Sequence, residues 1–276
     1  MAVYLMQDAS AVNRHRKNLL LGCIKCLHIC LLRKQLPGRI ALYFHELDDP
    51  VVAGFEDLFQ WLRWQRYEFC SPLEYTQGGH GKKVLISFDD NYISWYERLP
   101  WLAKHGAKCA FYTNTSPLRD RAGRGEQEAY FDRVGYHGRR IPLSSGELRE
   151  IAEAGHTVAC HTHSHRKLSR LSLEDGRSEM LDSKKILEDI VGKPVEDFAY
   201  PYGMPRYFPN ALRAEAPAMG FKRIAEGMPC MLFAKPDPTS IQRHRWRLNV
   251  GLDDNLREAE IDGRLFVRLF ARSPIG

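Results

Sequence analysis

The sequence predicts an α/β fold, a parallel sheet closed into a barrel behind a short N-terminal helical extension. Three observations carry that prediction. Apolar strand-like runs alternate with helix-like segments from residue 39 onward, and such repetition implies parallel pairing with helices as the crossovers. The residues able to do chemistry (His45, Asp89, Asp90, His161, His165 and the Pro201-Tyr202-Gly203 turn) each fall just after a strand-like run. In a closed parallel barrel the C-terminal strand ends share one face, where residues far apart in sequence meet; an open sheet gathers them less readily. Finally, 276 residues with 44% apolar content suffice for one large domain with a sizeable core.

Residues 1–36 read as the helical extension, closed by Pro37-Gly38, and residues 37–276 as the barrel domain. Strand-like runs follow at 39–44, 83–88, 108–112, 157–160, 197–200 and 221–224, with a last strand beginning near Ser240. Between them, 55–65 has apolar residues at helical spacing, and a second helix runs through Trp95 and Leu102. Ser144 or Ser145 caps a helix reaching Ala154, which Gly155 ends. Ser172 with Asp175 starts a helix to Val191, broken by Gly192, and a further helix spans 209–216. The polar stretch 117–140 reads as a connection; its Tyr130, Phe131 and Tyr136 either wall a cleft or pack against the barrel.

Charge and cysteine usage narrow the function classes. A net charge of +6 spread along the chain, without interleaved aromatics, argues against a nucleic-acid partner. The basic clusters Arg14-His15-Arg16-Lys17 and Arg243-His244-Arg245 read as solvated faces, with contact to phosphate or anionic glycan as the alternative. Seven cysteines, an odd number, argue against a disulfide framework, and Cys109 and Cys160 sit in strand-like runs as small hydrophobes. Cys23, Cys26 and Cys30 share one helix face with leucines, which favours packing over a metal cluster. The apolar stretch 19–32 is interrupted by Lys25 and His28 and is short for a membrane span. It reads as a docking helix, with peripheral membrane contact as the alternative, and the expected location is the cytoplasm.

Two short stretches carry the chemistry. Ser87-Phe88-Asp89-Asp90 ends an apolar run in adjacent carboxylates, and His161-Thr162-His163-Ser164-His165 offers imidazoles at i and i+4 after another. One Asp with two His is a ligand set for a divalent metal with positions left open, and the spare Asp can act as a base. Taken singly, Asp89 reads as a helix cap, Asp90 as a first-turn charge and the histidines as surface groups. Taken jointly, they point to metal-assisted hydrolysis. His156 and His163 are assigned structural or exposed roles.

Ser87-Phe88-Asp89-Asp90, the His161 to His165 stretch and Phe198-Ala199-Tyr200-Pro201-Tyr202-Gly203 resemble, in order and spacing, the three motifs of the polysaccharide deacetylases. These are the NodB-homology domains of carbohydrate esterase family 4. The likeness covers residues 39–250 or so. It implies a distorted (β/α)7 barrel and a divalent metal, Zn2+ first, with Co2+, Ni2+ and Mn2+ as alternatives. By that resemblance Asp90, His161 and His165 are the ligands, Asp89 is the general base, and the Tyr202 backbone N–H contributes to an oxyanion hole.

Three departures stand out. Ala199 stands where the family usually carries an Arg that orients the base, and Arg243 or another Arg would have to substitute. The family's late Leu-x-His, whose His protonates the leaving amine, is missing; His45 and His244 are the candidates, with His45 ranked first. Asn91 replaces a common Gly, a residue that tolerates the same backbone. The expected activity is removal of N-acetyl groups from an acetylated sugar or glycan precursor. The rivals are hydrolysis of a ring amide or formamide on the same fold, and a glycan-binding pseudoenzyme.

Overall fold

The structure, a computed structural model, describes residues 37–227, 237–251 and 254–255. The helical extension 1–36, with the cysteine trio and the membrane-contact reading that depend on it, lies outside the described residues.

The strands are Arg39–Phe44 (β1), Tyr67–Phe69 (β2), Lys82–Asp90 (β3), Cys109–Thr113 (β4), Thr157–Cys160 (β5), Asp197–Ala199 (β6), Arg223–Gly227 (β7) and Ser240–Arg245 (β8). All pair in parallel, in the order β1-β8-β7-β6-β5-β4-β3, and β3 returns to β1. Seven strands thus close a distorted (β/α)7 barrel. The eighth, β2, pairs with the first residues of β3 on the side that β4 takes over from Ile86 onward. The distortion sits where pairing is sparse: β5 meets β6 only at Cys160 and Phe198, and β1 meets β8 at two positions.

The helices cover the outside: Asp49–Trp64 (α1), Pro72–Gln77 (α2), Ser94–Glu97 (α3), Leu99–Lys104 (α4), Arg124–Val134 (α5), Ser145–Glu153 (α6), Leu173–Val191 (α7) and Asn210–Glu215 (α8). Between barrel and helices lies an aromatic layer in which Phe88 stacks on Phe111 at 5.3 Å and Phe44 meets Phe55 at 4.6 Å. Ser144 caps α6 and Ser172 caps α7 through side-chain acceptance from Glu147 and Asp175 N–H groups. The helix expected through Trp95 and Leu102 is two short ones, because Pro100 lacks the N–H that a continuous ladder needs. The strand expected at 221–224 is shifted to β7; Phe221 instead packs on Phe198 at 5.0 Å. The connection 117–140 contains α5, and Tyr130 and Phe131 are buried while Tyr136 reaches the cavity described below.

Inside the barrel, Ala41, Leu85, Ala110, Tyr112, Ala159, Ala199, Ala225 and Ile241 form one buried layer with a contribution from every strand of the ring. Strand side chains alternate with period two. Moving two residues on from this layer therefore gives the next layer toward the C-terminal ends: Tyr43, Ser87, His161, Gly227 and Arg243, with Asp89 and Arg245 one step further. The alternation that packs small alanines below places polar groups above.

Candidate active site

That upper layer opens into a cavity of about 380 Å³, lined by His45, Asp89, Asp90, His161, His165, Tyr202 and Arg245 among others. Adjacent residues of a regular strand face opposite sides, yet Asp89 and Asp90 both reach this cavity. The left-handed backbone of Asp90 (φ +86°) ends the alternation at the last residue of β3. Among the described residues five non-glycine positions have positive φ: Asp90, Thr162, His165, Tyr202 and, elsewhere, Arg66. Such conformations cost of order 1–3 kcal/mol each and persist where surrounding contacts enforce them.

Those contacts are present. The loop carrying the histidines is anchored from three sides. Asn114 donates to the carbonyls of His161 and Thr162, and the Thr115 and Ser116 N–H groups donate to the His163 carbonyl at 3.1 and 2.8 Å. Buried Glu179 of α7 accepts from the Ser164 N–H at 2.8 Å and from its hydroxyl. The Arg133 guanidinium donates to the Ser164 carbonyl at 2.7 Å. Inside the loop, the His165 N–H donates to Thr162 Oγ1 at 3.2 Å.

The ligand atoms of Asp90, His161 and His165 lie within 4.8 Å of one another, and all three residues are buried. Asp90 Oδ1 is 3.6 Å from His161 Nε2 and 3.3 Å from His165 Nε2. His161 Nδ1 sits 2.7 Å from the Ala199 carbonyl, which can only accept, so Nδ1 carries a proton and Nε2 is the atom turned toward Asp90. Burial pushes His165 down to about 4, which keeps it neutral at neutral pH. For Asp90, burial works to raise the carboxyl, but His165, His161 and His45 together outweigh it and hold it well below the usual carboxylate range. Two imidazoles and one carboxylate are the donor set that borderline divalent cations take, so these residues fit such an ion. The Tyr92 hydroxyl donates to Asp90 Oδ2 at 2.8 Å, fixing the carboxylate's orientation.

Asp89 has a different partner. Arg243, which lies in β8 and is 1% exposed, donates from one guanidinium nitrogen to Asp89 Oδ1 at 2.5 Å and from the other to Oδ2 at 2.8 Å. It also donates to the Ser87 hydroxyl at 3.1 Å. Its guanidinium carbon lies 5.0 Å from the Tyr43 ring centre and 4.7 Å from that of Tyr112, so two aromatic faces enclose it. A guanidinium thus faces Asp89 from β8, where Ala199 of β6 offers none.

The Pro201-Tyr202-Gly203 turn stands at the cavity rim. Tyr202 has φ +68°, and among the described residues its N–H donates to no backbone carbonyl. The turn is pinned to β7: the Gly227 N–H donates to the Gly203 carbonyl at 3.1 Å, and the two glycines are in direct backbone contact. His45 lines the cavity, its carbonyl held by the Trp95 indole at 2.6 Å. His244 is buried next to Arg243, on the other side of β8 by the strand alternation, and is not brought to the cavity. His156 is a packing residue whose Nδ1 accepts from the Cys109 N–H at 3.2 Å, and His163 pairs with Thr115 Oγ1 at 2.9 Å. The sequence points to no role for Tyr92 or Glu179, and the solvated face expected of Arg243-His244-Arg245 is corrected: Arg243 and His244 are buried and Arg245 lines the cavity. The parity of β8 around buried Ile241 is the signal that would have pointed Arg243 and Arg245 inward.

Comparison with known proteins agrees with this architecture. The family model described as polysaccharide deacetylase matches residues 76–224. YxkH of Bacillus subtilis (strain 168), a protein named for the same family, is 26% identical over 215 residues, 75% of this chain and 68% of its own length. A peptidoglycan-N-acetylglucosamine deacetylase of Bacillus cereus is 23% identical over 52% of this chain, which spans 43% of that protein. Among solved structures, IcaB from Ammonifex degensii superposes with TM-score 0.64 at 20% identity, covering 83% of this chain and 98% of its own. The Streptococcus pyogenes deacetylase PplD, solved with acetate, superposes with TM-score 0.61 at 21% identity, covering 82% and 99%. This chain belongs to the polysaccharide deacetylase family, hydrolases of non-peptide carbon–nitrogen bonds in carbohydrates.

Proposed function

We propose that this chain removes N-acetyl groups from a sugar, with a divalent cation, Zn2+ first among the candidates, held by Asp90, His161 and His165. The observation that carries the reading is the division of labour between two adjacent carboxylates, Asp90 facing two imidazoles and Asp89 facing a guanidinium. A cation there would polarise the acyl carbonyl and acidify a neighbouring water.

The chain's own residues supply the rest. Asp89 takes the proton of the attacking water as its oxygen bonds to the acyl carbon. Arg243 engages each Asp89 oxygen once, which fixes the carboxylate plane and leaves a lone pair on each for that proton. The Tyr202 N–H, held at the rim by the Gly203 and Gly227 contact, is the donor to the oxyanion. His45 is the group within the cavity that can protonate the departing nitrogen, so that the C–N bond breaks to give acetate and a free amine. Ala199 and the absent Leu-x-His were the reasons to consider a binding protein without turnover; Arg243 against Asp89 answers the first and supports the working enzyme.

Acetate release from N-acetylglucosamine oligomers by zinc-loaded protein, and its loss after chelation, tests the proposal. Zinc-loaded protein that binds the oligomers and releases no acetate would overturn it in favour of the binding-only reading.

A further inference from the structure

Tyr202 lines the cavity and also touches a group outside its lining. Beyond that ring, whose centre lies 5.1 Å from the His165 ring, sits the Lys167 ammonium, 4.6 Å from the Tyr202 ring centre and 4.5 Å from that of Tyr207. Two short 3-10 turns, Leu168–Arg170 and Pro205–Tyr207, pack against each other here and add two more cations. The Arg206 guanidinium lies 4.9 Å from the Tyr207 ring centre and donates to its hydroxyl at 3.0 Å. The Tyr207 hydroxyl is pulled below its ordinary value, foremost by that hydrogen bond, with Lys167 and Arg170 adding to it.

Among the described residues, Lys167, Arg170 and Arg206 have no carboxylate partner, whereas nearby Arg177 and Arg213 are paired with Glu215 and Glu226. Three like charges gathered on one rim repel one another, and ring faces offset only part of that. The acidic Glu46 of the cavity acts on Tyr92 and Tyr136 and is not among the groups that act on Tyr207. An array of Lys as a point charge and Arg as a planar fork is suited to a phosphate, whose charge of about −2 answers several cations better than one carboxylate does.

We propose that the sugar acted on carries a phosphate or diphosphate, held at the rim by Lys167, Arg170 and Arg206 while its N-acyl group enters the cavity past Tyr202. This rests on the deacetylase reading and names the class of its substrate. The phosphate source is a nucleotide, a polyprenyl carrier or the free sugar phosphate, and the chemistry at the rim is common to all three.

The experiment compares kcat/KM for acetate release from methyl N-acetylglucosaminide with that from N-acetylglucosamine 1-phosphate, its uridine diphosphate and its short-chain prenyl diphosphate. At low salt at least one phosphorylated sugar should be preferred roughly tenfold or more, a preference that shrinks in 0.5 M salt. Whichever leads identifies the source. The ratio of phosphorylated to neutral sugar should fall roughly tenfold in Lys167→Gln and in Arg206→Gln, and be retained in Lys167→Arg. A ratio near one, or one that the Gln variants leave unchanged, overturns the proposal. If no probe releases acetate, the deacetylase reading fails separately. Calorimetry with N-acetylglucosamine 1-phosphate then decides the rim: binding that weakens about tenfold in Lys167→Gln supports it, and absence of binding overturns it.

Discussion

Arg243 holds both carboxylate oxygens of Asp89, at 2.5 and 2.8 Å, from a strand 154 residues further along the chain. The pair is almost fully buried, and its geometry is the two-pronged one that only a guanidinium offers. Removing the guanidinium leaves a buried carboxylate without its countercharge, at a cost of about 3–5 kcal/mol. Arg243→Ala should therefore lower the melting temperature markedly. Arg243→Lys should recover most of the stability but little of kcat, because an ammonium cannot fix the carboxylate plane. Full activity in Arg243→Lys would show that orientation is not what Arg243 supplies.

Tyr92→Phe keeps the ring that packs on Tyr136 at 4.6 Å and removes only the hydroxyl that orients Asp90. Loss of such an outer hydrogen bond typically weakens a metal site by about 10–100-fold. Competition with a chelator of known affinity should show that loss for zinc while the melting temperature of the metal-free protein changes little. Unchanged affinity would remove Tyr92 from the site.

Gly203 has φ +63°, and a methyl group there would come within 2.5 Å of the Gly227 Cα and 2.6 Å of its nitrogen. Backbone cannot yield as a side chain does, so Gly203→Ala should destabilise by more than about 2 kcal/mol and displace the neighbouring Tyr202 N–H. Gly125, inside α5 with open space around its Cβ position, is the control; Gly125→Ala should be neutral or stabilising by up to about 1 kcal/mol. Chemical denaturation of the two variants decides between local strain and a general effect of replacing glycine.

His156 gives the fold a pH dependence apart from the cavity. Burial lowers it from 6.5 to about 4, and its Nδ1 accepts a hydrogen bond that protonation would break. Above pH 6.5 neither state is protonated and nothing is lost. As pH falls from 6.5 toward 4 the unfolded chain takes up a proton that the fold refuses, so stability drops, by about 3 kcal/mol in all, and levels off below. His156→Asn, whose Oδ1 can accept from the Cys109 N–H, should lose that much less than the parent over the same range. Parallel stability curves would contradict the assignment.

What was legible in the sequence follows local rules. Asp89-Asp90 and the His161 to His165 stretch each follow a strand with unmistakable apolar character, so residue type and placement sufficed. The short strand β2 and helix α5 were not legible. Three residues cannot display a period, and the apolar residues of α5 are too few to make a stripe, its ends being set by Gly123 donating to Glu126 and by left-handed Gly135. The Arg243 to Asp89 pair was legible as a gap at Ala199, with Arg243 one candidate to fill it. Which arginine fills that gap depends on strand parity and ring closure between β8 and β1, which no local pattern contains. His45 and His244 differ for the same reason, one ending a strand at the cavity and the other facing the helices.

In the proposed reaction two neighbouring carboxylates, Asp89 and Asp90, do different work. Zinc stoichiometry and acetate release measured together on Asp89→Asn test it most directly. The account predicts close to one metal ion per chain, as in the parent, with acetate release reduced by about 10²–10⁴-fold, the usual contribution of a positioned general base. Loss of the metal along with the activity, or turnover at the parent's rate, would contradict it.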